Sequence, residues 1–337
     1  MNNQDTELLI GCYGEDGKAC IHWLKIHAGS SSMHRLGKKD GISNPSFLAK
    51  HPTKERVYAV SEVEDGEVVC YRLDYKNHQL EERSRLRTHG GPCYAEASAC
   101  GKYLFVSNYS NPSVVVYALK ENGDFQEEVE RIDVPSENAA DSHIHTVRQI
   151  PGTSFIAMTD IGGSKIYIYQ WNARQRSLLP VQAIPAPDNA GPRHIAFHPD
   201  QSIMYVVNEY QSSVFVYRYA EQFACIQLIQ QINTVDVAKN YGAEIQYIGG
   251  KIITSNRGAD SLTIFHVKED GKLENETSIP TGGAWPRHFC SNQSIHHQLF
   301  VSNQKSNNIT VIKQIGGKYS ITNDTFSISS PACIIAI

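Results

Sequence analysis

The sequence predicts an all-β fold, a seven-bladed β-propeller closed by a C-terminal strand that completes the first blade. Three observations predict it. One strand–turn–strand pattern occurs seven times, the copies recur at about one blade length, and a lone apolar strand is left over at the end of the chain.

The seven copies are, in order, Leu8–Ile26, Val57–Leu73, Leu104–Leu119, Phe155–Trp171, Met204–Tyr219, Lys251–Val267 and Leu299–Gln314. Each starts as an apolar strand, breaks at a polar turn rich in Gly, Asn, Ser or Asp, and resumes as an alternating strand, which is the pattern of a β-hairpin. Nine positions after Asn108, Asp160, Asn208, Asn256 and Asn303 stand Tyr117, Tyr169, Tyr217, Phe265 and Ile312, which close the second strand. Ahead of most hairpins lies another short strand with its turn, as in NPSFLAKHPTKER, GPCYAEASACGK, GPRHIAFHPDQS and WPRHFCSNQSIHH. With a fainter fourth strand these make a propeller blade, and 337 residues over seven repeats is the usual blade length. Gln222–Asp236 reads as an outer strand with its loop rather than a helix.

The first hairpin lacks a leading strand, because only Met1–Glu7 precede it, whereas Pro331–Ile337 (PACIIAI) has no hairpin after it. The last strand is therefore expected to pair with Leu8–Tyr13 as the innermost strand of the first blade, removing two open edges. A solenoid would need polar caps instead of a spare strand. No linker or low-complexity stretch divides the chain, so residues 1–337 read as a single domain.

Composition narrows the function. A net charge of −4, with Lys and Arg scattered, argues against nucleic acid as a partner and against an anionic membrane surface. No basic segment followed by an apolar stretch opens the chain and no long apolar run occurs, which points to a cytoplasmic protein that does not span a membrane. The eight cysteines form no CxxC pair and mostly sit in apolar strands, the pattern of buried reduced thiols.

Positions that repeat between blades share one ring around the central channel. The inner strands begin at Ser46, Cys93, His143–His145, Arg193, Glu244 and Arg287, and the position after the hairpin Asn is filled by Tyr13, Val63, Tyr109, Ile161, Glu209, Arg257 and Gln304. The two sets meet at one face. They are expected to bring His143, His145, Arg193, His194, Glu209, Arg257, Arg287 and His288 to one mouth, as an anion site with acid–base capacity. A metal held by His143-x-His145 is set aside, since neighbouring arginines repel a cation. His22, His51, His78, His198 and His266 read as structural or solvated.

At these residues the chain resembles the seven-bladed propeller lactonases, which include the propeller form of 6-phosphogluconolactonase and the carboxymuconate-cyclising enzyme. The resemblance rests on SHIHTV (Ser142–Val147), GPRHIAFHPD (Gly191–Asp200), VVNE (Val206–Glu209), SNRGADSL (Ser255–Leu262), WPRHF (Trp285–Phe289), VSNQKSNNI (Val301–Ile309) and NPSFLA (Asn44–Ala49). It departs at Ser142, where the family has Pro, and in the short YIGGK loop. The resemblance implies a lactone hydrolase without metal or cofactor, acting on a small anionic sugar lactone: 6-phosphoglucono-1,5-lactone to 6-phosphogluconate, in the pentose phosphate pathway. A carboxymuconate-type cycloisomerase and a non-catalytic binding or scaffold propeller are the alternatives. The resemblance implies His145, Arg193 and Glu209 as catalytic residues and Arg257 on the substrate, and the shared ring adds Arg287, His143 and His194 as expected substrate contacts. His145 is expected to act as base, oriented by Glu209 or replaced by it, with a pH–rate profile rising through an ordinary imidazole pKa of about 6.5.

Overall fold

The computed structural model describes residues 5–14, 20–27, 32–134, 142–223, 225–292 and 295–337. These residues form seven four-stranded antiparallel sheets, arranged as the blades of a propeller. In blades 2 to 7 the strands follow chain order from the channel outward; in blade 1 the order is Pro331–Ala336, Thr6–Cys12, Ile21–Ile26, Met33–Lys39.

The ring closes as the sequence requires. Leu8 pairs with Ala336, Leu9 with Ile335, Ile10 with Ile334 and Gly11 with Cys333. The closing strand lies between the inner strands Pro286–Asn292 of blade 7 and Leu48–Lys50 of blade 2. Seven apolar clusters hold the blades together, and each spans two neighbours: Leu8, Ile10 and Leu24 of blade 1, for instance, pack against Phe300, Ile309 and Val311 of blade 7. Strands alternate a face toward each adjacent blade, so the central strands are largely buried on both faces, with apolar residues toward each neighbour and polar ones at the hairpin end. Gln222–Asp236 contains the outer strand Ile226–Asn233, preceded by a 3-10 turn.

The repeated Asn has a structural use. The Nδ2 atoms of Asn108, Asn208 and Asn256 donate to Ser113, Ser213 and Ser261 Oγ at 2.9, 3.1 and 3.2 Å, and Asn303 donates to Thr310 Oγ1 at 3.1 Å. In these four blades the bonds tie the Asn amide to the second strand of its hairpin and satisfy its buried Nδ2.

The inner strands share an irregularity that sequence alternation does not show. Pro192 pairs with Asn208 but His194 with Val207, so Arg193 is one residue too many. His145, Arg287 and Cys93 are surplus in the same way in their own blades, and blade 6 has a register shift between Gly242 and Ile245. A bulge bends the strand and re-aims its extra residue. One bulge at the same height in each of these blades therefore presents a ring of selected side chains at the end of the channel.

Candidate active site

The upper end of the channel is built from two sets of positions, the bulge residues and the residues that follow the hairpin Asn. The structure joins them through Glu209. Its Oε2 lies 3.0 Å from Arg193 Nε and 2.8 Å from an Arg257 terminal nitrogen. Both guanidiniums are fixed by backbone carbonyls as well: Arg193 donates to Ala243 O at 2.8 Å and Arg257 to Gly242 O at 2.9 Å. Gly242 is needed there, because a Cβ would meet Asn208 O at 2.5 Å. Arg287 completes the set. It donates to the Tyr13 hydroxyl at 2.7 Å, and that hydroxyl donates to Glu62 Oε2 at 2.6 Å.

Charge decides the protonation states. Burial alone would raise the Glu209 carboxyl, but Arg257 and Arg193 outweigh it and hold it below the usual carboxylate range. Burial, then repulsion from Arg257 and Arg287, pushes Arg193 down to about 9. Three guanidiniums facing Glu209 and Glu62 leave an excess of one positive charge, and an arriving anion relieves their mutual repulsion.

His145 is buried beside this group. Burial, Arg193, Arg287 and Arg257 hold its imidazole well below its ordinary range, so it is neutral at neutral pH. The direction of this shift runs against the expectation of a titration near the ordinary imidazole value. Its Nδ1, like Arg257 Nε, is buried without a hydrogen-bond partner among the described residues. Glu209 pairs with the arginines and not with this imidazole, so it does not orient the ring.

The other expected residues divide by depth. His143 stays at the rim, stacked on Tyr109 with ring centroids 4.1 Å apart and its Nδ1 2.9 Å from Tyr109 O. Ser142 replaces the family's Pro with a hydrogen bond, its Oγ donating to Asp160 Oδ2 at 2.7 Å, while the His143 N–H donates to the other oxygen. His194 lies beside His145, with ring centroids 4.9 Å apart, and together with His288 it meets Glu244, whose Oε2 is 2.6 Å from His194 Nδ1 and 3.4 Å from His288 Nε2. Beneath them a cavity of about 570 Å³ opens to the lower face, walled by Phe47, Tyr94, Phe197, Tyr247, Glu244 and Arg148. Glu244, read as an inner-strand start, thus belongs to the channel and its lower cavity.

Sequence reasoning missed Glu62. The second hairpin has five residues between Ser61 and Glu67, where the fifth has four between Asn208 and Ser213, and this longer turn shifted the alignment to Val63. With the turn length corrected, Glu62 is the counterpart of Glu209. It also missed an aromatic rim: Tyr210, Tyr241 and Trp285 join Tyr13 and Tyr109, with Arg257 over the Trp285 ring at 5.6 Å.

The sequence pattern described as "Lactonase, 7-bladed beta-propeller" matches residues 7–336. The chain belongs to this family. This lactonase-family chain is 24% identical over 339 residues to the 6-phosphogluconolactonase of Bacillus subtilis (strain 168), covering 96% of each. It is 27% identical over 318 residues to the 6-phosphogluconolactonase of Formosa agariphila, covering 87% of this chain and 88% of that one. Its fold matches the Pseudomonas aeruginosa periplasmic gluconolactonase PpgL with a TM-score of 0.91, 24% identity and 99% of both chains covered. Among the described residues no helix is long and apolar enough to cross a membrane.

Proposed function

We propose that this lactonase-family protein hydrolyses a sugar lactone bearing an anionic group, with 6-phosphoglucono-1,5-lactone as the substrate. The observation that carries this reading is the Arg193–Glu209–Arg257 assembly beside a neutral, buried His145. The names of its relatives supply the substrate class, and the mouth supplies matching chemistry.

Opening a δ-lactone needs a base for the water proton, a positive group at the carbonyl oxygen and a proton for the ring oxygen. His145 is neutral and takes the water proton as the water oxygen adds to the carbonyl carbon. Arg193, one inner strand away, faces the developing oxyanion. When the bond from carbonyl carbon to ring oxygen breaks, the imidazolium returns its proton to the departing oxygen, and the product is a carboxylate, a hydroxyl and a released proton. Glu209 stays ionised and spaces the guanidiniums. Arg257 and Arg287 hold the substrate's anionic group, and the aromatic rim with His143 packs against the apolar faces of the sugar.

The test is a comparison of 6-phosphoglucono-1,5-lactone with unphosphorylated glucono-1,5-lactone, after subtraction of spontaneous hydrolysis. The phosphorylated substrate is expected to have the higher kcat/KM, and Arg257→Ala to erase most of the difference. Equal kcat/KM values for both lactones in the wild type would overturn the anion assignment.

A further inference from the structure

A second cluster of reactive side chains lies outside the channel, at the outward hairpin of blade 1. Cys12 ends the strand Thr6–Cys12 and Cys20 precedes the strand Ile21–Ile26, and the Cys12 N–H donates to Cys20 O at 3.1 Å. The two cysteines are therefore cross-strand neighbours with side chains on one face. His22 stands two residues beyond Cys20, which in a strand returns it to that face. The result is a compact donor set: Cys20 Sγ lies 2.8 Å from His22 Nε2, and the three donor atoms are within 4.8 Å of one another. All three residues are buried.

We propose that Cys12, Cys20 and His22 form a binding site for one thiophilic divalent metal ion, with zinc as the reference ion. Two sulfurs and one imidazole are a standard zinc donor set, and three protein ligands leave a fourth position for water. A groove lined by Cys20, His22, Arg35, Lys38 and Ser327 gives that position a path to solvent. Binding displaces the two thiol protons, so two thiolates, a neutral imidazole and a divalent ion sum to zero. Arg35 and Lys38 then face no net cation. In a tetrahedral zinc site sulfur and nitrogen ligands stand roughly 3.6 Å apart, so Cys20 and His22 open by less than about 1 Å to admit the ion. A cross-strand disulfide between Cys12 and Cys20 is the competing use of the pair. The imidazole within reach of the Cys20 sulfur favours the metal, since a disulfide has no use for it.

The experiment uses the full chain, reduced and metal-free, with the exposed Cys100 and Cys225 changed to Ser to remove outside thiols. Zinc titrated against a chromophoric chelator is expected to show one tight equivalent that also raises Tm, since the ion binds the folded state. Cys20→Ser and His22→Ala each remove a ligand and are expected to weaken binding by at least the roughly 10–100-fold that losing an outer-shell partner costs. No bound equivalent, or binding indifferent to these changes, overturns the site. So does a reduced chain that takes up no zinc and forms a Cys12–Cys20 disulfide in air. Should a variant fail to fold, alkylation of the parent chain decides. One equivalent of zinc is expected to slow modification of Cys12 and Cys20, and unchanged rates overturn the proposal.

Discussion

The two ends of the channel are lined by the same strands, yet they treat a glutamate in opposite ways. At the upper mouth Glu209 lies between Arg193 and Arg257 and is held below its usual range. Toward the lower cavity Glu244 meets two histidines, and burial raises it to about 7 against the pull of Arg193. The lower end has a cavity of about 570 Å³, where Lys50 and Arg148 are matched by Glu96 and Glu244, and the upper end has the excess of guanidiniums. The lesson is that volume does not locate this chemistry. An anionic lactone is attracted to the end where guanidiniums outnumber carboxylates, whereas the aromatic lower cavity is walled by Phe47, Tyr94, Phe197 and Tyr247 around a carboxyl that burial raises to about 7.

Both ends depend on the closed ring, so the largest effect comes from opening it. Deleting Pro331–Ile337 exposes the edge of Thr6–Cys12 and removes the partner of blades 2 and 7. The truncated chain is expected to be insoluble or to melt without cooperativity. A soluble truncation with a sharp thermal transition contradicts this.

The comparison sharpens with paired substitutions at the two ends. Arg257→Lys keeps the charge but loses the planar fork, and is expected to raise KM about tenfold while kcat stays within about threefold. Lys50→Ala, in the wall of the lower cavity, is expected to leave both parameters unchanged in the same assay. A Lys50→Ala variant that loses activity as Arg257→Lys does would place substrate at the wrong end.

Alkaline pH separates the ends further. Arg193, at about 9, is the guanidinium whose charge is lost first. Binding of 6-phosphogluconate, followed by calorimetry, is expected to weaken as pH rises through about 9, and affinity flat to pH 10 or so contradicts the electrostatic reading. At the lower end the linkage appears in stability. Glu244 rises from 4.5 to about 7 on folding, so its contribution is fully present below 4.5 and is lost as pH rises through 7. Relative to Glu244→Gln, the wild type is expected to lose at most roughly 3 kcal/mol across that window. Parallel Tm–pH curves for the two proteins contradict it.

The blades were legible in the sequence because each repeats one hairpin with its Asn, and the closure because Pro331–Ile337 is an apolar strand with nothing to pair with downstream. Arg193, Glu209 and Arg257 were legible as positions sharing a ring. Depth was not. Strict alternation puts Arg193 and His194 on opposite faces, but the bulge at Arg193 brings both into the channel at different levels, one on Glu209 and one on Glu244. Glu62 was hidden by a turn one residue longer than its counterpart. The Cys12–Cys20–His22 set escaped because Cys12 joins the Cys20–His22 pair only across a hairpin.

The central claim is that a neutral His145 at the upper mouth takes the water proton. Turnover of 6-phosphoglucono-1,5-lactone by His145→Ala, with folding checked by its thermal transition, tests it most directly. General-base catalysis is typically worth about 10²- to 10⁴-fold, so kcat is expected to fall by that order in a chain that still melts cooperatively. The wild-type profile is expected to be flat through pH 6.5, because burial and the arginines hold the imidazole well below it. A folded His145→Ala protein with wild-type turnover would contradict the claim.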